Sequence, residues 1–69
     1  MLDIPSLSED QRATLMTLAQ DIEKLNSSMR DAVDAGLSIE LERASRHHHS
    51  AGYWGDIMAP RVVKKMGPA

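Results

Sequence analysis

The chain has 69 residues, no cysteine and a formal net charge of −2. This length allows one small domain over residues 1–69, and the missing cysteines exclude disulfides, thiolate zinc ligands and thiol nucleophiles. A domain of this size buries only about 60 % of its unfolded surface, so it usually needs a metal, a disulfide or a partner chain for stability. Because the chain has no Phe, one Trp and one Tyr, self-association is the expected source of the missing stability.

The two parts of the chain carry opposite charge. Residues 1–42 hold nine acidic and three basic side chains, whereas residues 43–69 hold five basic side chains and one acidic side chain. Either the acidic part packs against the basic part of its own or a neighbouring chain, or the basic part faces a polyanion. The first interpretation is favoured, because five bases are few for a nucleic-acid-binding surface.

The N-terminus lacks the basic and apolar segments of a signal peptide. No apolar run approaches the roughly 18 residues that are needed to span a bilayer. The resulting expectations are no membrane association and a cytoplasmic location.

A long amphipathic helix is predicted from about residue 9 to residue 35. Ser8 is placed to cap its first turn, with Gln11 three residues later to complete a capping box, and Ser6 with Glu9 offers the same pattern earlier in the chain. Gly36 supplies the left-handed residue that commonly ends a helix. Residues 1–7 are expected to fray.

Apolar residues recur along this helix at alternating spacings of three and four, which is the pattern of a helix–helix seam. The seam residues are Leu15, Leu18, Ile22, Leu25, Met29 and Ala32. The seam either packs on the rest of its own chain or pairs with a second copy. The rest of the chain has few apolar residues to cover a helix about 40 Å long, so we predict a homodimer. The flanking charges do not indicate whether its helices run parallel or antiparallel.

The segment after Gly36 fits two structures. Residues 37–42 alternate apolar and polar like a half-buried strand, but Ser38 is also a good helix cap before a run of helix formers. Downstream, Pro60 followed by adjacent valines and lysines suits the start of a short edge strand. We predict an α+β fold with a β-hairpin at about 37–47 and 60–66, and the alternative is an all-α helical hairpin. Residues 46–56 are the expected connection, and residues 67–69 are expected to fray.

This connection holds all three histidines of the chain. On a strand, His47 and His49 share a face, and Asp56 is a conceivable third metal ligand across the loop. Exposed histidines in a polar loop are the commoner case, so neither a metal nor a cofactor is predicted. Because no nucleophile motif and no phosphate-binding loop is present in the sequence, the chain is predicted not to be an enzyme.

Tyr53 and Trp54 lie between two glycines and are of the residue types that dominate protein interfaces. Trp54 either fills the junction of helix and hairpin, which is favoured, or faces outward. The candidate partner-contact residues are Tyr53, Trp54, Arg61, Lys64 and Lys65. The sequence thus predicts a small accessory module that self-associates through its long helix and binds an unidentified protein partner. The alternative is a nucleic-acid-binding protein that uses the basic C-terminal segment with Tyr53 and Trp54.

Overall fold

The computed structural model describes residues 6–67, which form one helix followed by two strands. The helix is α1 (Glu9–Asp34), and the strands are β1 (Leu37–His48) and β2 (Trp54–Lys65), which pair antiparallel in a two-stranded sheet. The α+β prediction is confirmed, and the all-α alternative is wrong, because residues 37–48 are extended. The predicted fraying of residues 1–7 and 67–69 lies, apart from residues 6, 7 and 67, outside the described residues.

Local interactions at both ends of α1 explain its bounds. The Ser8 hydroxyl accepts a hydrogen bond from the backbone N–H of Gln11 at 3.1 Å, and the Gln11 side-chain oxygen accepts one from the N–H of Ser8 at 2.9 Å. This reciprocal capping box confirms Ser8 as the N-cap of α1. The helix ends at Asp34, one residue before the predicted end at residue 35, and Ala35 is its C-terminal cap. Gly36 follows in a left-handed conformation with φ +94°.

Replacing the capping hydroxyl tests the start of α1. Ser8→Ala removes an acceptor for an N–H that has no partner inside the helix, so the free energy of unfolding should fall by about 1 kcal/mol. Urea denaturation followed by circular dichroism at one fixed protein concentration measures this change. Ser6→Ala is the matched control, since Ser6 precedes the cap; an equal loss in both variants would contradict the assignment of the cap to Ser8.

The hairpin is longer than predicted, because β2 begins at Trp54 rather than at residue 60. Pro60 lies inside β2, directly opposite Leu41. A proline is tolerated there because both strands of a two-stranded sheet are edge strands, and its missing N–H falls on the unpaired side. The connection is therefore residues 49–53, not 46–56. The N–H of His49 donates to the Tyr53 carbonyl at 2.8 Å, and the N–H of Gly52 donates to the His49 carbonyl at 2.9 Å.

Two bulges determine which side chains share a face of the hairpin. The register skips one residue of β2 between the Ser38 and Ile39 pairs, and it skips Ala44 of β1 between the Arg43 and Ser45 pairs. Residues that lie directly opposite each other share a face, and successive pairs alternate. Between the bulges, one face therefore carries Ile39 opposite Val62, Leu41 opposite Pro60, and Arg43 opposite Met58. The other face carries Glu40 opposite Arg61 and Glu42 opposite Ala59.

Over residues 6–67, helix and hairpin form an open arrangement without a closed core. None of residues 6–67 is buried, and no Cα atom of α1 comes within 8 Å of a Cα atom of β2. The chain extends over 52 × 25 × 13 Å with a radius of gyration of 16.1 Å, whereas a compact chain of this length has about 11 Å. Over the described residues, no helix combines the length and apolar character that crossing a membrane requires.

Candidate functional site

An open groove of about 260 Å³ lies between the C-terminal half of α1 and the hairpin. Its helical wall contains three of the predicted seam residues, and its hairpin wall consists of apolar residues that lie between the two bulges. The lining residues are Leu25, Ser28, Met29, Ala32, Ile39, Leu41, Met58, Ala59 and Pro60. Apart from the Ser28 hydroxyl, no side chain in this lining carries a polar group, so the groove suits an apolar occupant and offers little to a polar substrate.

The periodicities of helix and strand bring the two walls together. Leu25, Met29 and Ala32 recur at spacings of four and three, which places them on one side of α1. Ile39 and Leu41 are two residues apart on β1, which places them on one face of the sheet. The tight turn at Ala35 and Gly36 folds β1 back beside the end of α1. Residues that are close in the sequence thus form much of both walls.

The apolar surface continues from the groove toward the N-terminal half of α1. Leu18 and Ile22 are 54 % and 47 % exposed, and they precede Leu25 on the same side of the helix. We call the groove together with Leu18 and Ile22 the apolar face. Within the described structure, only the C-terminal half of the predicted seam meets the hairpin across the groove. The other half has no apolar partner among the groove residues.

The opposite face of the hairpin is polar and internally paired. The guanidinium of Arg61 forms ion pairs with Glu40 and with Glu42, the latter at 3.3 Å between Nε and Oε2. These groups are exposed, so each pair contributes little to stability. The two carboxylates nevertheless neutralise the charge of Arg61, which was predicted to contact a partner. Arg61 is therefore turned away from the groove and engaged within its own sheet.

Trp54 and Tyr53 lie at the tip of the hairpin, where they are 58 % and 75 % exposed. The guanidinium of Arg46 lies 4.2 Å from the centre of the Trp54 ring, and its Nε lies 2.9 Å from Oδ1 of Asp56. The favoured prediction that Trp54 fills the junction of helix and hairpin is wrong. With strands of 12 residues, the tip is about 40 Å from that junction.

The five predicted partner-contact residues do not form one surface. Tyr53 and Trp54 are at the tip, whereas Lys64 and Lys65 pair with Ser38 and Leu37 at the open end of the hairpin. About ten residues of extended strand separate the two groups, which corresponds to about 33 Å. The aromatic pair and the basic residues therefore cannot contact one small partner site together.

The structure does not bring the candidate metal ligands together. His47 lies opposite Gly55, one position from the Arg46–Asp56 pair, so His47 and Asp56 are on opposite faces of the hairpin. His49 follows β1, and its Nδ1 accepts a hydrogen bond from the N–H of Ala51 at 3.0 Å. In residues 6–67, no three histidine, aspartate or glutamate side chains converge in a way that could hold a metal ion.

The hairpin wall of the groove was not predicted from the sequence. Met58 and Pro60 belong to it because they alternate along β2 and lie opposite Arg43 and Leu41. Their spacing of two is a usable sequence signal, but Pro60 is also typical of the first residue of a strand, which would leave Met58 outside β2.

No family model matches this chain, and searches of the curated proteins and of the solved structures found no match.

Proposed function

We propose that this chain is a non-enzymatic protein-interaction module that acts as a homodimer, with the apolar face of each copy covered by the other. One observation carries the proposal: the described part of a single chain buries no residue, although it displays a continuous apolar face. Apolar patches larger than a few hundred Å² are rare on monomers and mark interaction sites. A second copy of the chain carries the same apolar face and can therefore cover this one.

The surface area supports a dimer of the obligate type. The chain exposes 6137 Å², whereas a folded monomer of 7.6 kDa is expected to expose about 4,300 Å². The excess is about 1,800 Å² per chain, or about 3,600 Å² for two chains. Obligate homodimers bury about 2,000–5,000 Å² in total. A dimer that buries this excess falls within the range of obligate homodimers.

Charge and strand chemistry favour pairing through the apolar face over pairing along a strand edge. The helix has six acidic and three basic residues, and the two strands together have three acidic and five basic residues. A helix of net charge −3 and a hairpin of net charge +2 attract each other between copies. The outer edge of β2 lacks a donor at Pro60 and ends in two lysines, which discourages the addition of another strand.

Nucleic-acid binding is less well supported by the same geometry. Arg46 is paired with Asp56, and Arg61 with Glu40 and Glu42. The bases left over are Arg43 and the Lys64–Lys65 pair, which are about 17 Å apart along the hairpin. A surface for phosphates needs a cluster of bases with net positive charge. In this hairpin, carboxylates neutralise two of the five basic side chains, Arg46 and Arg61.

Sedimentation equilibrium of the wild-type chain tests the proposal. We expect a mass of twice 7.6 kDa at micromolar concentration, and a thermal unfolding midpoint that rises with protein concentration, because association stabilises only the folded chain. Monomeric standard proteins of similar mass, run in parallel, serve as the control. A monomeric mass together with cooperative unfolding that is independent of concentration would rule out the homodimer.

A further inference from the structure

We infer that the two copies pair antiparallel, so that Leu18 and Ile22 of each copy enter the groove of the other. This inference rests on the proposed homodimer and adds the orientation and the occupant of the groove. The flanking charges of the helix do not decide the orientation, but the position of the hairpin along α1 does.

The seam is symmetric about its midpoint between Glu23 and Lys24. Running outward from that midpoint, Ile22 and Leu25, then Leu18 and Met29, then Leu15 and Ala32 are equidistant from it. A two-fold axis through the midpoint therefore places each seam residue of one helix at the level of a seam residue of the other. Each resulting layer pairs an a position of one helix with a d position of the other. The outermost layer places the large Leu15 side chain against the small Ala32 side chain.

The groove is at one end of this symmetric seam. Its helical wall is Leu25, Met29 and Ala32, which are the C-terminal members of the three layers. In an antiparallel dimer, the N-terminal half of the partner helix lies over this groove, and the two hairpins are at opposite ends. In a parallel dimer, both hairpins meet at one end, and the N-terminal halves of both helices cover only each other.

Volume and charge agree with the antiparallel arrangement. Counting about 30 Å³ for a water-sized group, the four-carbon side chain of Leu or Ile occupies on the order of 100 Å³. The groove of about 260 Å³ therefore holds two such side chains. Arg43 lies opposite Met58 on the groove face and has no ion pair within residues 6–67. The N-terminal half of α1 has four acidic and two basic residues over 9–24, so a partner helix in the groove brings negative charge to Arg43.

Disulfide trapping in this cysteine-free chain tests the orientation. Leu18→Cys chains, one preparation carrying a mass tag, are mixed with Met29→Cys chains under mild oxidation. We expect the mixed disulfide to exceed either homodisulfide by at least about tenfold, because equivalent residues 18 in an antiparallel pair are about 16 Å apart. A disulfide requires Cα atoms within about 7 Å. The pair Leu15→Cys with Ala32→Cys repeats the test at the outermost layer.

The outcomes separate the orientation from the dimer itself. Homodisulfides at residue 18 or 15 that exceed the mixed products, or wild-type dimers whose cysteine variants give no mixed disulfide in either pair, would overturn the antiparallel arrangement and leave the homodimer standing. A wild-type chain that sediments as a monomer would overturn both. Mixed disulfides at both layers support the inference, and sedimentation of the reduced variants confirms that the substitutions preserve association.

Discussion

Ile22→Asp is expected to abolish the dimer and, with it, most of the helical circular dichroism signal. Ile22 is in a central layer of the seam and is 47 % exposed on the single chain. In the proposed dimer it is covered, so the substitution loses about 2 kcal/mol of apolar burial in each copy. It also places an unpaired carboxylate in an apolar contact, which costs further free energy. The dissociation constant should rise by a factor of about 1,000 or more.

The loss of helix is a consequence of the open architecture of the single chain. An isolated helix owes little stability to propensity alone and depends on packing of its apolar side. In the part of the chain that the structure describes, that packing is limited to an open groove. Dissociation should therefore be coupled to unfolding rather than release a folded monomer.

Gln20→Asp is the matched control for this experiment. It adds the same charge two positions away, on the side of α1 opposite the seam. We expect a wild-type mass by sedimentation equilibrium and a wild-type circular dichroism spectrum for this variant. If Ile22→Asp sedimented as a dimer, or if both variants lost association equally, the seam would not be the interface.

Features that depend on neighbouring residues were predictable from the sequence. The capping box joins Ser8 and Gln11, which are three residues apart. Gly36, in a left-handed conformation, follows directly after the cap that ends α1. The strand character of β1 was only partly predictable, because residues 37–42 alternate apolar and polar like a strand but also follow a good helix cap. Sequence signals of this range need no knowledge of the tertiary structure.

Features that depend on pairing across the hairpin were not predictable in the same way. The start of β2 at Trp54 results from its pairing with His48, whereas Gly55 and Pro60 look like strand breakers when β2 is considered alone. Trp54 is exposed at the tip because the single chain forms no core over its described residues that a large aromatic side chain could fill.

Only half of the candidate site was predictable, for the same reason. The seam on α1 is a periodic pattern within one element, and the sequence shows it directly. The hairpin wall depends on the bulges, which decide that Met58 and Pro60 share a face with Ile39 and Leu41. A bulge inserts one residue into one strand and thereby reverses the facing of the later residues of that strand. No residue type in this sequence marks the two positions.

Gly36→Ala is expected to lower the free energy of unfolding by about 2–3 kcal/mol, for two separate reasons. The backbone at Gly36 has φ +94°, which residues with a side chain rarely adopt. A Cβ atom at this position would also come to 2.8 Å from Cβ of Met66. The close approach exists because the N–H of Met66 donates to the Gly36 carbonyl at 2.7 Å, which ties the end of β2 to the end of α1.

Two other glycines separate these two contributions. Gly52 has a similar φ of +96° but open space around its missing Cβ, so Gly52→Ala should show the backbone cost alone, about 1 kcal/mol. Gly55 lies in β2 with neither constraint, so Gly55→Ala should change stability little. Urea denaturation of the three variants at one protein concentration gives the comparison. Equal losses for Gly36→Ala and Gly52→Ala would show that Met66 yields to the new methyl group at no cost.

The junction at Gly36 also determines the width of the groove, because it holds β1 beside the last turns of α1. A methyl group that displaces Met66 must either move the end of β2 or change the angle between helix and hairpin. In the second case, the walls at Ala32 and Ile39 move apart, and a second copy packs less closely between them. Gly36→Ala should then weaken dimerisation beyond its effect on the turn, whereas Gly52→Ala, at the far end of the hairpin, should leave the dissociation constant unchanged. Sedimentation equilibrium of these two variants, at a urea concentration where the wild type is still folded, measures that difference.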